Sequence, residues 1–173
     1  MKKIVVLISG SGSNLEAIIN ACESKKIYGH VMCVISNNPN AFGLERAKRC
    51  NINTKIFNNK LFSNRDDFDN NLQNFLEGLS PDLIVLAGFM RILGSAITDK
   101  FSTKMINLHP SLLPLYPGLN THNKVLSNSD NNHGVSIHYV SAELDRGPLI
   151  AQGIIKVKNN EDENDLIDRI HKV

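Results

Sequence analysis

The sequence predicts an α/β protein built on a doubly wound, mostly parallel sheet, with an antiparallel pair of strands near the C-terminus. Two observations carry that prediction. Short, continuously apolar runs alternate with segments of helical periodicity, as happens when helices cover both faces of a parallel sheet. After a proline-rich stretch at residues 110–117 the pattern changes to a strict alternation without an intervening helical segment.

The elements follow in order. Residues 4–8, Ile-Val-Val-Leu-Ile, form the first strand. Lys2 and Lys3 precede it, but the apolar run is too short for a signal peptide and leads into Ser9-Gly10-Ser11-Gly12. Leu15, Ile18, Ile19 and Cys22 then recur on one face of a helix. Ser13 and Glu16 fit a capping box at its start. Residues 31–35 read as a second strand, 44–50 as a second helix and 54–57 as a short third strand. A helix over about 63–79 carries Phe68, Leu72, Phe75, Leu76 and Leu79 along one side. Residues 83–87 are the fourth strand, 95–101 a short helix and 105–108 the fifth strand.

Residues 134–140 alternate, with Val135, Ile137 and Tyr139 on one side and Ser136, His138 and Val140 on the other. Residues 149–157 form another strand-like run. The link between them is too short for a helical crossover, so the two should pair antiparallel. A last helix starts in the acidic cluster Glu161, Asp162, Glu163 and Asp165, as helix N-termini prefer. Its stripe, Leu166, Ile167, Ile170 and Val173, still runs at the final residue, with no Gly, Asn or Pro to close it. Residues 1–173 are therefore expected to be a single domain, cut within the last helix.

Composition narrows the function classes. A chain of 173 residues, 42% hydrophobic, is one domain with a sizeable core. A net charge of +2 without a basic run gives no reason to expect nucleic acid or a membrane surface as partner. No stretch approaches transmembrane length. Cys22, Cys33 and Cys50 are odd in number and none are spaced as C-x-x-C. They read as thiols of a reducing cytoplasm rather than disulfides or a zinc site. No histidine pair has an H-E-x-x-H type of spacing, and no metal is expected. The sequence does not set the oligomeric state.

In doubly wound sheets ligands bind beyond the carboxyl ends of the parallel strands. Three loops stand there. The first, Ser9-Gly10-Ser11-Gly12-Ser13-Asn14, is followed by a helix. It lacks the third glycine of a dinucleotide fingerprint and the Gly-Lys of a P-loop. It fits either an ordinary glycine-rich turn or a monophosphate site at a helix N-terminus. The second, Ala87-Gly88-Phe89-Met90-Arg91-Ile92-Leu93, either covers the sheet or forms the wall of a pocket for a flat ligand. In the third, Asn107 and His109 stand two apart on an extended segment and project together. Pro110 biases His109 toward extended geometry. The pair is either structural or suited to a reaction that builds charge on oxygen and moves a proton. Asp145, in the turn between the two late strands, either bonds its own backbone or reaches His109 and fixes its tautomer.

These residues resemble the glycinamide ribonucleotide transformylases, of the folate-dependent formyltransferase family. The likeness rests on Ile8-Ser9-Gly10-Ser11-Gly12-Ser13-Asn14-Leu15, on residues 82–93, on Asn107-Leu108-His109-Pro110-Ser111-Leu112-Leu113-Pro114, on Tyr116-Pro117-Gly118 and on Asp145 with Gly147-Pro148. It spans essentially the whole chain and implies a Rossmann-like formyltransferase fold. It implies glycinamide ribonucleotide bound by its phosphate at Gly12, Ser13 and Asn14. It implies 10-formyltetrahydrofolate as co-substrate against Met90, Arg91, Ile92, Leu93 and Asn107, with Arg65, and no metal. It implies Asn107, His109 and Asp145 as the catalytic trio of a step in purine biosynthesis. Arg146 departs from the small residue that relatives often have there. The resemblance also implies that relatives continue past Val173, to a glutamate that contacts the ribonucleotide sugar. The same trio would serve a formyltetrahydrofolate hydrolase, for which a phosphate loop is superfluous. A nucleotide-binding module without catalysis would leave the three residues unconnected.

Overall fold

The structure, a computed structural model, describes residues 1–173. Its strands are β1 (Lys2–Ile8), β2 (Gly29–Ser36), β3 (Asn53–Ile56), β4 (Leu83–Leu86), β5 (Met105–His109), β6 (Asn132–Tyr139) and β7 (Leu149–Lys156). Its helices are α1 (Ser13–Glu23), α2 (Phe42–Arg49), α3 (Arg65–Leu79), α4 (Ser95–Lys100), α5 (Thr121–Ser127) and α6 (Glu163–Ile170). All the strands join one sheet in the order β3-β2-β1-β4-β5-β6-β7. Pairing is parallel from β3 through β5 and antiparallel for β5–β6 and β6–β7. No helix is long and apolar enough to cross a membrane.

Both faces of the central strands β1 and β4 are buried, which explains their continuous apolar runs. Val5, Leu7, Ile84, Leu86 and Met105 pack with Phe68, Leu72 and Leu76 of α3 and Ile97 of α4. Ile4, Val6, Ile8 and Val85 pack on the other face with Leu15 and Ile19 of α1 and Leu44 and Ala47 of α2. Each fully buried aliphatic side chain contributes about 1.5–3 kcal/mol relative to exposure. The chain leaves β1 toward β2 on one side and returns through β4 on the other. The carboxyl ends of β1 and β4 are thus neighbours at a switch point, and their loops lie side by side.

Four local features correct the sequence reading or add to it. Ser13 is the first helical residue of α1 and not its cap. Gly12 holds the cap position at φ 73, without a side-chain capping bond, and Glu16 pairs instead with Arg46. Helix α5 had no signal, because it is short and its one well-buried apolar residue, Val125, makes no stripe. On β6 the polar side faces inward: Ser136 and His138 are buried, while Val135, Ile137 and Tyr139 are only partly covered. Helix α6 is shorter than its stripe suggested. Asp162 caps it by accepting the Asp165 N–H at 2.9 Å. Leu166 and Ile170 pack on Val125 of α5, and Val173 lies beyond the last turn.

Candidate active site

Ser9 ties the first two loops together. Its hydroxyl donates to Asn37 Oδ1 at 2.5 Å and accepts the Met90 N–H at 2.8 Å. The cleft between them is lined by residues 9–14 with Ala87, Gly88 and Met90, and so by backbone, hydroxyls and one amide, with no carboxylate. The N–H groups of Gly10, Ser11, Gly12, Ser13 and Asn14 have no acceptor within the chain. Gly12 is left-handed at φ 73 and lies so close to α2 that a Cβ there would stand 2.6 Å from the Gly43 Cα. Free amides at the positive end of α1 give this cleft the polarity that suits an anion.

The loop after β4 separates this cleft from a second one. Phe89, Arg91, Ile92 and Leu93 face the second cleft with Leu86, Asn107, His138, Val140, Ser141, Glu143, Leu144 and Asp145. Phe89 and Leu93 are rooted in the core beneath. Ile92 is half exposed. Arg91 lays its guanidinium over the Phe68 ring, 4.0 Å from the centroid. Met90 borders the first cleft instead. Arg65 lines neither cleft. It stands on the first turn of α3, with its Nε 3.6 Å from Asp69 Oδ2. The same buried carboxylate oxygen accepts the Gly94 N–H at 2.7 Å, so Asp69 fastens the end of the loop to α3.

The third loop supplies the charged centre. Asn107 and His109 do project to one side of β5, opposite His138 and Ser136 of β6 in the antiparallel register. Asp145 reaches over them from the β6–β7 turn in a left-handed conformation at φ 52. Its Oδ2 lies 3.4 Å from His109 Nδ1 and accepts the Gly118 N–H at 2.8 Å. Its Oδ1 accepts from Asn107 Nδ2 at 3.3 Å and lies 3.7 Å from His138 Nε2. Burial pushes the Asp145 carboxyl up. The neighbouring His138 imidazole, the hydrogen bond from the Gly118 amide and the approach of His109 outweigh burial and hold it below the usual aspartate range.

The tautomers follow from the partners. The Tyr139 carbonyl lies 2.9 Å from His138 Nδ1, so that nitrogen carries the proton. His138 Nε2 then accepts from the Asn107 amide at 3.1 Å. His109 Nε2 donates to the Tyr116 carbonyl at 2.9 Å, which leaves Nδ1 as the atom that faces Asp145. The proline loop is itself pinned. The Ser136 hydroxyl donates to the Ser111 carbonyl at 2.6 Å and accepts the Leu113 N–H at 3.0 Å. Gln152 Nε2 donates to the Leu113 carbonyl at 2.9 Å.

The structure thus joins Asn107, His109 and Asp145 in one cluster, as the non-catalytic reading excludes. It adds His138, Gly118 and the Tyr116 carbonyl, which the sequence reading missed. His138 carried a usable signal: polar side chains at Ser136 and His138 alternate within a strand that has no polar surface to face. Gly118 and Tyr116 act through backbone atoms and leave no signal in side-chain type.

The formyl transferase family model matches residues 2–173. The chain is 48% identical to the phosphoribosylglycinamide formyltransferase of Escherichia coli over 167 residues, which are 96% of this chain and 79% of that protein. The phosphoribosylglycinamide formyltransferase structure from Coxiella burnetii superposes with a TM-score of 0.94 at 47% identity, over 99% of this chain and 80% of that one. The glycinamide ribonucleotide transformylase structure from Symbiobacterium toebii superposes with a TM-score of 0.95 at 38% identity, over 99% and 81% respectively. A likeness of this extent, on a sheet whose switch point holds an anion cradle beside an Asn–His–Asp cluster, places the chain in the formyl transferase family, among its phosphoribosylglycinamide formyltransferases.

Proposed function

We propose that the Asn107–His109–Asp145 cluster transfers the formyl group of 10-formyltetrahydrofolate to the amine of glycinamide ribonucleotide. The observation that carries this reading is the adjacency of two unlike clefts across one loop. One offers free amides to a monophosphate. The other offers an apolar wall that ends at the cluster. Gly12, Ser13 and Asn14 hold the ribonucleotide phosphate. Arg91, Ile92, Leu93 and Asn107 line the cleft that takes the folate, with Met90 and Arg65 outside it.

The amine nitrogen attacks the formyl carbon and the carbonyl oxygen becomes an oxyanion. Asn107 has an N–H turned to His138, and His109 has one turned to Tyr116. The oxyanion competes for these donors, and one such donor is worth roughly 10²–10³ in rate. The intermediate collapses as the bond from carbon to the folate N10 breaks. The amine gives up a proton and N10 gains one. His109 gives N10 its proton as the imidazolium, with its Nδ1–H on Asp145, and takes up the proton that the amine releases, while Asp145 stays ionised to hold the ring in place.

Formyl transfer is measured by the absorbance of the folate product, with and without glycinamide ribonucleotide. Product that depends on the ribonucleotide supports the reading. Formate released at the same rate without it supports a hydrolase instead. We also place the protein in the cytoplasm, which the three free thiols support.

A further inference from the structure

The phosphate loop is held from behind, and the way it is held assigns a role to a residue that touches no ligand. In a trans peptide the C=O of one residue and the N–H of the next point in opposite directions. Each carbonyl of the loop is drawn away from the first cleft. The Ser9 carbonyl accepts from Asn38 Nδ2 at 3.1 Å. The Gly10 carbonyl accepts the Gly43 N–H at 3.0 Å, and the Gly12 carbonyl the Glu16 N–H at 3.0 Å. The Ser11 carbonyl accepts from Arg46 Nε at 3.0 Å. The N–H groups of Gly10, Ser11, Gly12 and Ser13 are the opposite ends of these same peptides.

Of the four donating groups the Arg46 guanidinium alone is charged. Its stem packs on Gly12, whose added Cβ would meet the Arg46 Cδ at 3.6 Å. Its guanidinium lies over the Phe42 ring, 5.0 Å from the centroid, which fixes its plane. Another nitrogen of the same guanidinium pairs with Glu16 on the first turn of α1. That pairing matters for an anion site. An unpaired Glu16 would place a negative charge beside the bound phosphate, and Arg46 neutralises it.

We propose that Arg46 is a positioning residue for the substrate phosphate: by holding the Ser11 carbonyl and screening Glu16, it aims the Gly12 amide into the cleft and keeps the site receptive to anions. This rests on the reading of that cleft as a phosphate site. It accounts for an arginine of α2 directed at a loop carbonyl rather than at solvent.

The test compares the wild-type enzyme with Arg46→Met, Arg46→Lys and Glu16→Gln. The readouts are kcat, the KM for each substrate and the competitive inhibition constant of inorganic phosphate. Arg46→Met should raise the ribonucleotide KM and the phosphate inhibition constant together by about tenfold, the worth of a hydrogen bond from a charged group. The folate KM and kcat should stay the same. Arg46→Lys keeps a charge beside Glu16 but has no planar Nε–H, so it should recover only part of the loss. Glu16→Gln keeps the Ser11 bond and should leave the ribonucleotide KM at or below the wild-type value. An unchanged ribonucleotide KM and phosphate constant in Arg46→Met would overturn the proposal. So would a lower melting temperature with both substrate KM values raised alike, which is the mark of a merely structural role. If Arg46→Met does not fold, Arg46→Lys decides on the same readouts. A wild-type enzyme that phosphate does not inhibit would overturn the phosphate reading itself, a result read before any variant is made.

Discussion

His109 Nδ1 lies 3.4 Å from Asp145 Oδ2, and that oxygen already accepts the Gly118 N–H at 2.8 Å. One carboxylate therefore fixes both the imidazole and the far end of the proline loop. Replacing it by an amide keeps the shape and removes the charge. Asp145→Asn should lower kcat by about 10²-fold or more, while both KM values change little. A steady-state titration of each substrate checks this. A variant with normal kcat would mean that the carboxylate only packs.

Much of this site was legible in the sequence because its side chains break local rules. Asn107 and His109 are polar at the end of an apolar strand, next to prolines. Gly12 and its serines interrupt the path from β1 to α1. What the sequence hid depends on register and on backbone atoms. The antiparallel pairing that sets His138 opposite Asn107 is a tertiary fact. The capping box failed because Gly12, in a left-handed conformation pressed against Gly43, already turns the chain into α1. Helix α5 escaped notice because the residues at its start, buried Thr121 and half-buried His122, are polar and add nothing to an apolar stripe.

Gly12 makes a sharper prediction than a ligand clash alone would. Its φ of 73 suits glycine, and a Cβ would collide with the α2 backbone before any ligand arrives. Gly12→Ala should already weaken ribonucleotide binding at least tenfold, since the loop must move by several tenths of an ångström. Folate binding should persist. Calorimetry with each ligand decides it, and an equal loss of both would point to misfolding.

Asp69 predicts the converse selectivity. Its carboxylate holds the Gly94 amide at 2.7 Å and faces Arg65 at 3.6 Å. Asp69→Ala should cost about 1–3 kcal/mol of stability by leaving that amide unpaired. It should raise the folate KM with little effect on the ribonucleotide KM. Asp69→Asn, which keeps an acceptor, should restore most of the stability. Denaturant melts and kinetics on both variants would show whether the two effects separate.

A histidine pair that joins α5 to β6 predicts acid lability. His122 Nδ1 and His133 Nε2 lie 2.9 Å apart, a contact with room for one proton. Burial, and then the charge of His122, hold His133 down from 6.5 to about 4, and burial also lowers His122. The unfolded chain therefore binds more protons through that window. Stability is complete above the ordinary histidine value and falls as pH drops toward the native value. The melting temperature should decline between about pH 7 and about pH 5, and His133→Asn should flatten that decline. An identical slope in the variant would assign the lability elsewhere. The carboxyl of Asp145 titrates below this range and does not confuse the result.

The most direct test of the account is single-turnover formyl transfer by Asn107→Ala, His109→Ala, Asp145→Ala and the triple variant, each first shown by calorimetry to bind both ligands. If the three side chains act as one unit, each single change loses most of the rate, and the triple variant is scarcely slower than the worst single one. Losses that simply multiply would contradict that unity, and a triple variant that still transfers formyl at near the wild-type rate would show that the chemistry lies outside the cluster.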